Sequence, residues 1–130
     1  MRFMLLMIPQ GYESAAPGAM PDAAHVAEMM RFNEAMREAG ILLGLDGLHP
    51  PSMGARVSFA SGEPEVIEAP FPGVREVLGG YWMIRVGSKD EAIAWARRCP
   101  ARPGETIEVR RVQEMEDFTP EIRAAVAQGG

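Results

Sequence analysis

Arg2-Phe3-Met4-Leu5-Leu6-Met7-Ile8 is the stretch on which the fold turns. Successive side chains of a strand point to opposite faces. Phe3, Leu5 and Met7 therefore face one way and Met4, Leu6 and Ile8 the other. Both faces are apolar, so both need a covering layer. The chain has 130 residues. At roughly 100–200 residues per domain this makes a single domain, with residues 113–130 as a tail. Apolar residues make up 47% and charged residues 24%, the balance of a folded chain rather than a disordered one. The longest apolar run, Phe3 to Pro9, falls far short of the ~20 residues a membrane helix needs, so no membrane partner is expected. Arg2 before that run has the look of a secretory leader, but no small-residue cleavage site follows and Pro9-Gln10-Gly11 ends the run. The expectation is a first strand in a cytoplasmic protein. Cys99 is the single cysteine, so no disulfide forms within the chain. Lys and Arg number 13 against 18 Asp and Glu, a net charge of −5 that argues against nucleic acid as a partner. The 10 methionines supply adaptable apolar surface of the kind used at interfaces.

Outward from the first strand, residues 9–21 carry three Pro and two Gly and read as a loop. A helix follows from about Asp22 to Ala39, with Asp22 as N-cap and Gly40 as the terminating glycine. At helical spacing Val26, Met29, Met30, Phe32 and Met36 share one side, while Glu28, Arg31, Glu34 and Glu38 share the other. His25 and Asn33 fall inside the apolar arc. Ile41 to Leu45 reads as a second strand, turned by Asp46-Gly47, and His49-Pro50-Pro51 is extended. Ala55 to Ala60 alternates, Ser61-Gly62-Glu63-Pro64 turns, and Glu65-Val66-Ile67 returns as the other arm of a hairpin. Residues 69–80 are rich in Pro and Gly, and Tyr81 to Val86 is a strand. Ser88-Lys89-Asp90-Glu91 is a capping box that opens a second helix, closed by Pro100. Glu105 to Val112 is the last long strand, and Thr119-Pro120-Glu121 starts a short terminal helix.

The order β-α-β-(hairpin)-β-α-β predicts an α+β protein: a ferredoxin-like split βαβ sandwich with an added β-hairpin. Right-handed crossovers put both helices on one sheet face. The other apolar face then needs a cover, and the same face of a second subunit supplies it. The expected partner is a second copy of the chain, in a homodimer through the sheet face.

Several blocks resemble one family. They are Phe32-Asn33-Glu34 with Ala39-Gly40-Ile41-Leu42-Leu43, Asp46-Gly47-Leu48-His49-Pro50-Pro51, Leu78-Gly79-Gly80-Tyr81-Trp82, Glu91-Ala92-Ile93-Ala94-Trp95-Ala96 and Ile107-Glu108-Val109-Arg110. The tail Glu114-Met115-Glu116-Asp117-Phe118-Thr119-Pro120-Glu121 adds to them. Glu68-Ala69-Pro70-Phe71-Pro72-Gly73-Val74-Arg75-Glu76 resembles a divergent copy of the signature DGPFAETKE. The chain is thereby similar to the YCII-related family in its DGPF-type branch. The resemblance implies a dimeric α+β barrel. Most members of the family are uncharacterised. A few relatives are linked to dehydrochlorination of chlorinated hydroquinones, and DGPF-type proteins occur beside or fused to extracytoplasmic-function sigma factors. Of the signature, Pro70, Phe71 and Glu76 stand unchanged. In the bacterial YCII branch a His near the start of the first helix pairs with an Asp after the second. His25 matches that His, whereas Arg98-Cys99-Pro100 holds no Asp.

His25 is the candidate catalytic residue, because an imidazole exchanges its proton near neutrality. The competing reading is a half-buried His bonded to a carbonyl. Asn33, two turns along the same face, is a candidate ligand-binding residue. Asp46 and His49 lie three positions apart in a loop segment and offer an acid–base pair. Glu68, Phe71, Arg75 and Glu76 surround a proline turn and offer an organic-acid site, with Arg75 taking the carboxylate in a two-point contact. There is no P-loop, no G-x-G-x-x-G, no C-x-x-C, no H-E-x-x-H and no nucleophile elbow. No metal and no cofactor are expected. Two functions follow. One is cofactor-free acid–base chemistry on, or binding of, a small organic acid or aromatic in a cleft of the barrel. The alternative is a non-catalytic ligand-sensing or protein-interaction module linked to transcription regulation.

Overall fold

The computed structural model describes residues 1–129. Strands β1 (Arg2–Ile8), β2 (Leu42–Gly47), β5 (Gly80–Arg85) and β6 (Thr106–Arg111) form one antiparallel sheet in the order β2-β5-β1-β6. Strands β3 (Ala55–Ser58) and β4 (Glu65–Glu68) pair only with each other, Val57 opposite Val66. Helices α1 (Ala23–Glu38) and α2 (Lys89–Ala96) are the crossovers, and α3 (Pro120–Gly129) is the last described element. The architecture is α+β, and this strand order is compatible with a ferredoxin-like fold.

The core lies where the alternation of β1 puts it. Phe3, Leu5 and Met7 are buried together with Phe32 and Met36 of α1, Trp82 and Ile84 of β5, and Ala92 of α2. Both crossover helices therefore bury side chains on one sheet face. Phe32 and Trp82 meet edge to face, with ring centroids 5.4 Å apart. On the other face Met4, Leu6 and Ile8 are only half-buried and belong to no core cluster.

Local chemistry sets the element ends. Asp22 accepts the His25 backbone N–H at 2.8 Å and starts α1. Its end is a Schellman turn: Gly40 at φ 72° lets Gly40 N–H donate to Arg37 and Ile41 N–H to Met36. Ser88 accepts the Glu91 N–H at 3.2 Å, while the Glu91 carboxylate takes the N–H of Gly87 at 3.1 Å, one residue earlier than a reciprocal capping box requires. The second strand runs later than the Ile41–Leu45 expected, because its pairing with Trp82, Tyr81 and Gly80 carries it to Gly47. The register slips between Leu42 and Gly44, leaving Leu43 exposed. Helix α2 stops at Ala96, well before Pro100, and its last turn tightens through Arg98→Trp95 and Cys99→Ala96 bonds.

Gly79 and Gly80 tie the strand ends together. Gly79 N–H donates to Met7 at 2.8 Å, and its carbonyl accepts from Leu48 at 2.9 Å. A Cβ on Gly79 would strike the Pro9 ring, and a Cβ on Gly80 would stand 2.8 Å from the Asp46 carbonyl oxygen.

Candidate functional site

A cleft of about 610 Å³ opens at this end of the sheet. The first turns of α1 form one wall, with His25, Val26, Met29, Met30 and Asn33. The strand ends Met7, Leu45 to Gly47 and Gly79 to Trp82 form another, and the loop residues Tyr12 and Ala19 to Pro21 close a third side. Tyr12 donates its hydroxyl to the Leu48 carbonyl at 2.6 Å, pinning the loop to the segment after β2. Burial pushes the Tyr12 phenol above its ordinary value. Exposed apolar side chains of α1 find their role here. Val26 and Met30 are 42% and 53% exposed, and they line the cleft rather than fill the core.

The polar groups are few. His25 is half-buried, and its Nδ1 is buried with no hydrogen-bond partner. No carbonyl engages that nitrogen. Asn33 is buried, and its amide oxygen accepts the Trp82 indole N–H at 2.7 Å. Its amide nitrogen has only the Met30 sulfur at 3.7 Å, which leaves donor capacity toward the cleft. Asp46 accepts the Tyr81 hydroxyl on Oδ2 at 2.7 Å. That bond and the carboxylate charge raise the Tyr81 phenol above its usual range. His49 lies at the rim, exposed. Glu105 lines the cleft from the start of β6, and its Oε1 accepts the Arg102 backbone N–H at 2.6 Å.

The fold brings four of the expected site residues together: His25, Asn33, Asp46 and His49. Glu68, Phe71, Arg75 and Glu76 do not line the cleft. Phe71 lies under the Arg56 guanidinium at 4.5 Å, and Arg75 has no ion-pair partner among the described residues. Sequence reasoning missed Tyr12, Met20 and Glu105. Tyr12 and Glu105 come from segments remote from α1, Met20 lies in the loop just before its cap, and no spacing signal marks any of them. Cys99 packs beside the Met29 sulfur at 3.9 Å, and burial, with the Glu105 charge, pushes its thiol up to about 12. Among the described residues no group of His, Cys, Asp and Glu comes together as a metal site, and no helix is long and apolar enough to cross a membrane.

A model of the YCII-related domain family matches residues 1–116, a span that contains the whole cleft and stops short of α3. No curated protein matches the chain.

Proposed function

The chain belongs to the YCII-related domain family, and on that premise we propose that the cleft binds a small, largely apolar molecule with which His25 exchanges a proton. The observation that carries this reading is the buried, unpartnered Nδ1 of His25 at the cleft wall. A buried polar atom without a partner costs on the order of 1–3 kcal/mol, and a ligand group that meets it recovers that energy. A volume of about 610 Å³ also suits a small molecule, since ligand pockets run to roughly 300–1,000 Å³ with apolar linings and few polar groups. Nδ1 takes a proton from an acidic ligand hydrogen, and the imidazolium returns it to a neighbouring atom. Asn33 Nδ2 and the Asp46–Tyr81 pair orient the ligand around that nitrogen.

A thermal-shift screen against lactones, quinols, phenols, amines and small carboxylates tests the reading. A ligand at ~100 times its dissociation constant adds about 2.7 kcal/mol of stability. The shift is expected to vanish in His25→Ala and to persist in Arg75→Ala. A ligand whose binding and turnover survive His25→Ala overturns the role of His25.

We assign the chain to the DGPF-type branch on the block Glu68 to Glu76. The half-buried Met4, Leu6 and Ile8 support a second copy covering the open sheet face in a dimeric barrel. Light scattering at micromolar concentration is expected to give twice the chain mass and to fall to one chain in Leu6→Glu. A wild-type monomer removes this assembly.

A further inference from the structure

The charged residues in the cleft are all of one sign. Asp46 and Glu105 line it, and among the described residues no lysine or arginine does. Three residues before Glu105, the Arg102 guanidinium is taken by Asp22 at 2.7 Å. The Asp46 carboxylate is held in place from one side only, by Tyr81 on Oδ2, and Oδ1 has no partner among the described residues. An anionic head entering this space meets two carboxylates and no lysine or arginine, and its counter-charge would have to come from a proton taken up by His25 or His49. A protonated amine meets an oriented carboxylate oxygen. The rest of the lining suits the body of such a molecule. Met29 and Met30 offer polarisable thioethers and Trp82 an indole, surfaces that attract a ring or a neighbouring cation.

We infer that the cleft selects ligands by charge, taking an apolar amine with its ammonium group at Asp46 and turning away carboxylic acids. This rests on the cleft being a ligand site, and it narrows the chemical class that site accepts. It also removes small organic acids from the expected ligands, since the arginine that was to bind their carboxylate, Arg75, lies outside the cleft.

The test uses three probes of nearly one shape: 2-phenylethylamine, 2-phenylethanol and 3-phenylpropanoate. Each is titrated into the full chain at neutral pH, with affinity read by calorimetry and the imidazole resonances of His25 and His49 read by NMR. The amine is expected to bind roughly tenfold or more tighter than the propanoate, the scale of one favourable charge contact. Asp46→Asn is expected to remove most of that preference. Tyr81→Phe, which keeps the carboxylate, is expected to retain it. Glu105→Gln is the second charge-removing variant should Asp46→Asn fold poorly, and it is expected to narrow the gap in the same direction. A propanoate that binds tighter than the amine overturns charge selection while leaving the cleft a ligand site. So does an amine preference left intact in both charge-removing variants. If none of the three binds and the imidazole resonances do not move, the ligand site itself falls and the charge selection falls with it.

Discussion

The indole N–H of Trp82 has one partner, the Asn33 amide oxygen at 2.7 Å, and both residues are buried. Asn33→Ala leaves that N–H orphaned beside the core. The expected loss is about 1–3 kcal/mol in urea denaturation, with the slope of the transition unchanged. Asn33→Asp keeps the acceptor and is expected to lose less. The same side chain therefore braces the fold with its oxygen, while its nitrogen meets the sulfur of Met30, a residue of the cleft wall. Its place in the apolar arc of α1 was legible from spacing, but its partner was not, since Trp82 lies 49 residues away. Cys99 gives a second residue-level expectation. Thiolate is the reactive form, and a thiol held at about 12 supplies almost none near neutrality. Cys99 is expected to stay unmodified by a disulfide reagent at about pH 8 in the folded chain and to react fully in urea. Rapid labelling of the native protein refutes this.

Among the elements, α1 shows how one cap couples stability to acid. The His25 N–H bond holds the Asp22 carboxyl below its ordinary 3.8, helped by Arg102. A carboxyl depressed in the folded chain stabilises it fully above the unfolded value, and that share is lost as pH falls through the lower folded value. Asn caps a helix as well as Asp does but has no such proton. Asp22→Asn is therefore expected to melt near the wild-type temperature at neutral pH and to show a flatter decline between about pH 5 and pH 2. Thermal melts across that range check it, and an unchanged acid limb refutes it. Caps of this kind made α1, α2 and α3 readable in advance, through Asp22, Ser88 and Thr119, each of which accepts the backbone N–H three residues on. The 3-10 turns Tyr12–Ser14, Pro51–Met53 and Met115–Asp117 were not readable. Three residues show no period, and a loop composition fits them equally well.

Over the whole molecule, helix α3 stands apart. All of its residues are exposed, Ile122 and Val126 included, and it lies beyond the span matched by the family. Ending the chain after Phe118 is expected to shift the melting temperature by no more than ~2 °C, because exposed segments contribute little to stability. A larger fall in a thermal melt would show that α3 holds the body together. The α+β class and the order of the elements were legible from a two-faced first strand and two capped helices, while the strand order β2-β5-β1-β6 came from the structure. The site was half visible. His25 and Asn33 stand out as polar residues in an apolar arc, and Asp46 and His49 as titratable groups in a short segment. Arg75 and its neighbours looked like a site because they are close in sequence. The antiparallel arms β3 and β4 and the proline-rich stretch after them hold those residues away from the cleft, and one-dimensional proximity does not register that.

The glycines at the strand ends have a consequence for how such a cleft diverges. Part of its floor is bare backbone, at Gly47, Gly79 and Gly80: a single methyl at Gly80 would collide with the Asp46 carbonyl and push that strand off its neighbour. Its far wall is made of Val26 and Met30, which touch solvent and take no part in the core. Exchanging those two residues for larger or smaller ones resizes the cavity at little cost in stability. The chain thus carries a fixed floor and an adjustable wall, and a lineage that changes its ligand would do so along two turns of one helix while the sheet beneath stays as it is.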